Sequence, residues 1–289
     1  MAKFFNKVVR PLVKASAQSA AFAANDLVFD WAAFDIPRGG AKLIGVSTVV
    51  KANRRADIVT FPSYVFAKDD GTGAPTSLGT PNAAVTTGQS SYHQVLGYVD
   101  TAKLELNPSD DAVTRVNNAN AFNIGVASNI YYNTTPVETG IVFDSEPYTG
   151  ANVGFDRYYI AAFAPVAGFL LRSAVNLDDD VTIATNNGTI TTLDGDAANL
   201  SFQQGDLIHA TDDIILGEID TVDADNITFR FDGGTSKNQA VLTGTAEYTI
   251  PADIAAWRIQ NGAGTAGDLA NNEPLFNVHP LRITLHFEN

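Results

Sequence analysis

The residues that first suggest chemistry in this sequence are its acids, four histidines and one glycine-rich hexapeptide; the chain has no cysteine. That excludes a disulfide framework, a thiol nucleophile and a Cys-ligated zinc site. His279 and His286 lie seven apart across Pro280, which suits neither one helix face nor one strand face, and His93 and His209 stand alone. With no pair at metal-ligand spacing, all four read as ordinary sheet or loop residues. GAGTAG at 262–267 matches a dinucleotide fingerprint in letters only. The fingerprint needs a strand before it, a helix after it and an acid about 20 residues on. Here a helix-like stretch precedes, DLANNEP follows, and Glu288 in the last strand is the only acid at that distance. A loop of small residues is the better account.

The acids cluster in the second half, at Asp178, Asp179, Asp180, Asp194, Asp196, Asp212, Asp213, Asp223 and Asp225. Ca²⁺ binding would suit such oxygens, but the spacing fits neither an EF-hand loop nor a nonapeptide repeat, and turn formation explains most of them. No nucleophile elbow, zinc-protease motif or P-loop occurs, and nothing sets two carboxylates at a glycosidase separation. The expectation is a non-enzyme with no catalytic residue, metal site or cofactor.

Charge is the stronger signal. Residues 1–25, MAKFFNKVVRPLVKASAQSAAFAAN, hold Lys3, Lys7, Arg10 and Lys14 and no acid. Without them the chain has 14 basic residues against 32 acidic ones, a balance of −18. An acidic body repels phosphates, so nucleic acid is not the expected partner. No uncharged apolar run approaches the roughly 18 residues of a membrane span. A secretion signal needs an apolar core of about 7–15 residues after its charges. Here charges run on to Lys14, and Pro11 interrupts. The segment is therefore expected to be an arm that docks on another subunit through Lys3, Phe4, Phe5, Lys7, Val8, Arg10 and Lys14, removable without unfolding the rest. Phe4, Phe5, Val8, Val9, Leu12 and Val13 fall on one helical stripe, and a helix starting at Pro11 is predicted, after an extended or kinked lead. Lys51, Arg54 and Arg55 form the one basic cluster of the body. They read either as a solvated turn or as a second contact with an acidic subunit.

These residues must be positioned by strands. Lys and Glu are scarce, while Thr, Asn, Gly and Val abound, the profile of a loop-rich all-β chain. Strand-like runs cover Leu27–Trp31, Ala41–Lys51, Asp57–Ala67, Tyr92–Val99, Ala121–Tyr132, Tyr158–Phe163 and Gly168–Val175, punctuated by Gly, Pro, Asn and Asp. In LRITLHFE (281–288), Leu281, Ile283, Leu285 and Phe287 alternate with polar residues. That is a half-buried antiparallel strand, expected to complete a sheet begun early in the chain. The predicted fold is an antiparallel β-sandwich or jelly-roll-like domain (26–175 plus 251–289), an N-terminal arm (1–25) and an inserted small β-barrel (176–250). PADIAAWRIQ (251–260) reads as a short helix.

The stretch 201–229 contains Gly205-Asp206-Leu207-Ile208, an acidic turn at Asp212-Asp213, Leu216-Gly217-Glu218-Ile219 and Ile227-Thr228-Phe229. In this it resembles small β-barrel modules of virion structural proteins from tailed bacteriophages. Gly205 and Gly217 would serve as bends where a small barrel curls. The outer part is similar in character to the sandwich or jelly-roll proteins that decorate phage capsids. The resemblance implies a capsid decoration or cement protein, located on the virion after synthesis in the host cytoplasm. Its partners would be the major capsid protein or other virion subunits, with self-association, a trimer included, covering strand edges. A neck, tail or fibre component and a jelly-roll shell protein are the alternatives within that class. A secreted sugar- or Ca²⁺-binding adhesin is the alternative outside it.

Overall fold

The computed structural model describes residues 3–51, 61–69, 74–85, 94–100, 114–116, 119–123, 130–144, 155–168, 171, 174–176, 181–183, 188–191, 202–209, 215–223, 226–230, 267–269 and 274–289. Nearly all of the regular structure is antiparallel β. The chain divides into two compact units: residues 1–13, 20–171 and 281–289 form the first, and 14–19 with 172–280 form the second.

The first unit is a sandwich. Its strands are β1 (Phe4–Val9), β2 (Leu27–Pro37), β3 (Ala41–Lys51), β4 (Ser63–Lys68), β5 (Val95–Val99), β6 (Thr114–Val116), β7 (Ala119–Asn123), β8 (Ile130–Phe143), β9 (Phe155–Phe163) and β18 (Leu281–Glu288). One sheet has the order β1-β18-β3-β8-β7-β6 and the other β2-β9-β4-β5. Set the β6–β7 hairpin aside and number the remaining eight strands along the chain. The sheets then read 1-8-3-6 and 2-7-4-5. First pairs with last, second with seventh, third with sixth and fourth with fifth, which is one long antiparallel hairpin rolled into two sheets: a jelly roll.

The sequence explains the closure of that roll. Leu281, Ile283, Leu285 and Phe287 are all fully buried, so alternation turns one face of β18 entirely into the core. Rings from the two sheets meet there. Phe143 on β8 lies edge-on to Tyr158 of β9 (4.8 Å), Phe66 of β4 (5.7 Å) and Phe287 of β18 (5.3 Å). Edge-to-face packing of this kind adds to area burial. A buried hydrogen bond also joins the sheets, Thr48 of β3 to Tyr64 of β4 at 2.7 Å. The turn from β2 to β3 needs the left-handed backbone of Gly40, at φ 76°. The fully buried carboxylate of Asp156 accepts the amides of Gly39 (2.9 Å) and Gly40 (3.2 Å) and lies 3.6 Å from Arg38.

The second unit contains α1 (Ala15–Gln18), β10 (Ala174–Asn176), β11 (Val181–Ile183), β12 (Gly188–Thr191), β13 (Leu207–His209), β14 (Ile215–Val222), β15 (Asn226–Arg230), β16 (Gly267–Leu269) and β17 (Pro274–Asn277). Six of these strands form a sheet of order β10-β17-β13-β14-β15-β12, and β11 pairs with β16. Closure of that sheet into a barrel is not among the described pairings. Phe202, Ile208, Ile219, Ile227, Leu275 and Phe276 are buried within it.

Several expectations change. Residues 4–9 are not an arm. They form the first strand of the roll, pairing with β18 from Phe4↔Glu288 to Val9↔Ile283. Their burial follows a period of two rather than a helical stripe: Phe5 stacks on Phe287 at 5.1 Å while Phe4 stays exposed. Within residues 11–25 helix is confined to Ala15–Gln18, because the rest of the Ala-rich run makes tertiary and turn bonds that compete with it. Ala20 accepts from Asn82, Phe22 from Gly168, and the Ala23 amide donates to Asp26. Strand β4 begins at Ser63, just past Pro62, which has no amide to donate. The run 121–132 divides between two strands. In place of a strand starting at Gly168 there is a turn, with φ 83°. Residues 274–280, assigned from sequence to the sandwich, belong to the second unit because β17 pairs with β10 and β13. The predicted helix at 251–260 lies outside the described residues.

Candidate functional site

Among the described residues, β1 is the terminal strand of its sheet, hydrogen-bonded on one side to β18. The phase of that ladder follows from its last pair. Lys3 and Asn289 exchange both backbone bonds, at 3.1 and 2.8 Å. In an antiparallel pair, bonded and non-bonded positions alternate. Phe5, Lys7 and Val9 therefore direct their amides and carbonyls to β18. Phe4, Asn6 and Val8 direct theirs to the open edge.

The same alternation sorts the side chains. Phe4, Asn6, Val8 and Arg10 are exposed, whereas Phe5 and Lys7 are half-buried and Val9 is buried. Phe4 is 68% exposed and Val8 41%, high values for large apolar residues. Lys7 pairs across the ladder with Leu285, whose side chain is fully buried, so the lysine stands on the core-side face at the rim of the sheet. The register continues the outer face inward: Phe4 opposes Glu288, Glu288 opposes Lys42, and Lys42 opposes Val142, itself 59% exposed.

A hydrogen-bond chain pins β1 to its neighbours. His286 Nε2 lies 2.7 Å from Ser47 Oγ and its Nδ1 lies 2.9 Å from Asn6 Oδ1. Burial holds the His286 pKa below its usual value. The neutral ring then donates through Nδ1 to Asn6 and accepts from the Ser47 hydroxyl. The order serine–histidine–amide is that of an activated nucleophile. Its placement is not: Ser47 is 4% exposed in a strand paired on both sides, where backbone amides are committed to the ladders rather than to a developing oxyanion. The triad works as a cross-strand clamp. From sequence the four histidines read as ordinary residues; the sign of this one is the antiparallel match of KFFNKVV to LRITLHFE, which sets Asn6 opposite His286.

Lys14 occupies the N-cap position of the short α1 of the second unit, with no side-chain cap bond. Lys51 ends β3, and Arg54 and Arg55 lie outside the described residues. Exposed apolar side chains missed from sequence are Val142, and on β5, the last strand of the other sheet, Val95 (43%) and Tyr98 (55%). Burial, moderated by a hydrogen bond with Ser63, and the Asp100 charge raise the Tyr98 pKa.

In the second unit the Gly205-Asp206 step has a local role. Gly205 takes φ 83° in the turn before β13, and the fully buried Asp206 accepts the Gln203 amide (3.0 Å) and the Asn277 side-chain amide (2.7 Å). Gln18 of α1 donates to the Asn277 carbonyl at 2.7 Å, fixing the N-terminal segment to this unit. Gly217 lies beside a bulge, where Ile208↔Gly217 is followed by His209↔Ile215. Asp223 accepts the Asn226 amide at 2.8 Å, the turn chemistry expected of it. The other clustered acids, and all of GAGTAG except Gly267, lie outside the described residues. Among the described residues no group of three or more acids and histidines converges as a metal site, and no helix is long and apolar enough to cross a membrane.

No protein-family model and no curated protein matches this chain.

Proposed function

We propose that this protein is a structural component of a bacteriophage virion, a decoration or cement protein that docks on the assembled head through the β1 edge. The observation that supports this most is the edge strand itself. Its outward backbone groups are open among the described residues, its exposed face presents Phe4 and Val8, and its charge opposes that of the rest of the chain. Natural sheets protect an edge or use it. A protein that bridges assembled subunits favours assembly by mass action. The partners are the major capsid protein or neighbouring virion subunits, and further copies of the chain, a trimer included, would cover other edges.

A second reading within the class, a jelly-roll shell protein, is favoured by the 1-8-3-6 and 2-7-4-5 strand order, an architecture that shell proteins share with lectins and cupins. Copy number separates the two, because a decoration protein accompanies a distinct and more massive shell subunit.

The test is co-sedimentation of purified protein with heads at low and high salt. Deleting residues 1–25 is not the appropriate control, since it removes the first strand of the roll together with the Phe5–Phe287 stack. Phe4→Asp with Val8→Asp alters only the exposed row. Specific retention of a glycan or Ca²⁺, with no binding to particles, would replace this function with that of an adhesin.

A further inference from the structure

We infer that the β1 edge takes an added antiparallel strand, and that the incoming strand is an acidic, extended segment of the partner subunit. The inference rests on the docking function proposed above and specifies the chemistry of the partner.

Three observations lead to it. First, the ladder phase leaves the amides and carbonyls of Phe4, Asn6 and Val8 directed to the open edge, in the spacing that another strand reads. Second, the side chains of those residues lie on the exposed face, so apolar residues at alternate positions of the incoming strand would cover Phe4 and Val8. Third, Lys7 lies on the opposite, core-side face at the rim. An inward-pointing charge at a sheet edge deters indiscriminate pairing, because any added strand must bury it further. A carboxylate opposite Lys7 removes that obstacle. Lys7 takes the non-bonded type of position toward the incoming strand, where facing side chains come closest. Among the described residues no carboxylate forms an ion pair with it.

The charge pattern also selects the occupant. A β1 strand of a second copy would bring its own Lys3, Lys7 and Arg10 against these, and like charges directly opposite are destabilising. An acidic segment has the complementary sign. One Glu of the incoming strand faces Lys7, and the residues on the other alternation that face Phe4 and Val8 are apolar. The apolar residues then exchange backbone bonds with β1, and the amides of the Glu residues point away.

The experiment uses the full chain and a short capped peptide alternating Val with Glu, followed by fluorescence anisotropy. Binding is expected for this peptide and not for its Lys-for-Glu counterpart, with the preference inverted in Lys7→Glu. N-methylation of the Val amides should weaken binding by about tenfold or more, and N-methylation of the Glu amides should be tolerated. On the protein side, Val8→Pro removes one outward amide and none of the β1–β18 bonds, a change an edge strand accepts. It should weaken binding to a similar degree with the circular dichroism unchanged. The N-methylated peptides decide the matter on wild-type protein if Val8→Pro does not fold. Equal binding of the two peptides, or indifference to which amides are methylated, overturns the inference. Self-association that Val8→Pro breaks, with no peptide bound, would put a second copy in the slot and also overturn it. If the peptide fails while heads still co-sediment, the strand-addition inference falls and the docking function stands.

Discussion

At the residue scale, a few buried polar groups are the sensitive points of the molecule. Thr48 and Tyr64 satisfy each other across the sandwich, and burial pushes the Tyr64 hydroxyl well above the ordinary phenol range. Tyr64→Phe leaves the buried Thr48 hydroxyl without its partner and should cost about 1–3 kcal/mol in urea unfolding. Adding Thr48→Val should recover part of that loss, since removing both partners costs less than orphaning one. His286 gives a pH signature. Its folded-state pKa lies below the ordinary 6.5, so the unfolded chain takes up the proton first. The stabilisation is complete above about pH 6.5 and declines as pH falls through and below that value. His286→Gln should flatten this part of the stability profile; an unchanged profile would mean the ring does not titrate differently on folding.

At the element scale, strand identity is legible where apolar and polar residues alternate in the sequence itself. Leu281, Ile283, Leu285 and Phe287 announce β18, and the run Ala41–Lys51 matches β3 end to end. The first strand reads from sequence as an extended lead of a separable arm because FFNKVV, with apolar residues at 4, 5, 8 and 9, does not alternate and so does not announce a strand. Only the partner, some 280 positions away, makes it one. The helix is shorter than the Ala-rich run for a physical reason: Ala propensity is worth less than the tertiary bonds of Ala20 and Phe22 and the turn bond of Ala23. The Gly205-Asp206 step was visible as a motif, but its purpose was not, because Asn277 and Gln18 come from distant parts of the chain. Asp206→Ala should loosen the turn into β13 by about 2 kcal/mol, read as faster amide exchange across Gln203–His209. Asp206→Asn, which keeps one acceptor oxygen, should lose less.

At the scale of the whole molecule, the jelly-roll order follows from the pairings, and the second unit lies in the connection between β9 and β18. A long insertion is tolerated where the ends it joins are already positioned. The basic N-terminal segment serves both units: its first strand completes the sandwich, and the following turn of helix joins the second unit through Gln18 and Ala15. The contact residues chosen from sequence are thereby sorted. Phe4 and Val8 remain available on the outer face, Phe5 is committed to the Phe287 stack, and Lys7 sits at the rim. Phe4→Asp with Val8→Asp should cost about 1–2 kcal/mol without unfolding the sheet, because both side chains are exposed while the first change sets a carboxylate opposite Glu288 and Asp is a poor strand former. The most direct test of the proposed function is quantitative co-sedimentation of the wild-type protein and this double variant with purified heads. The wild type should saturate the particle, and the variant should bind about tenfold more weakly or worse. Equal binding of the two, or no wild-type binding at any salt concentration, would contradict docking through the β1 edge.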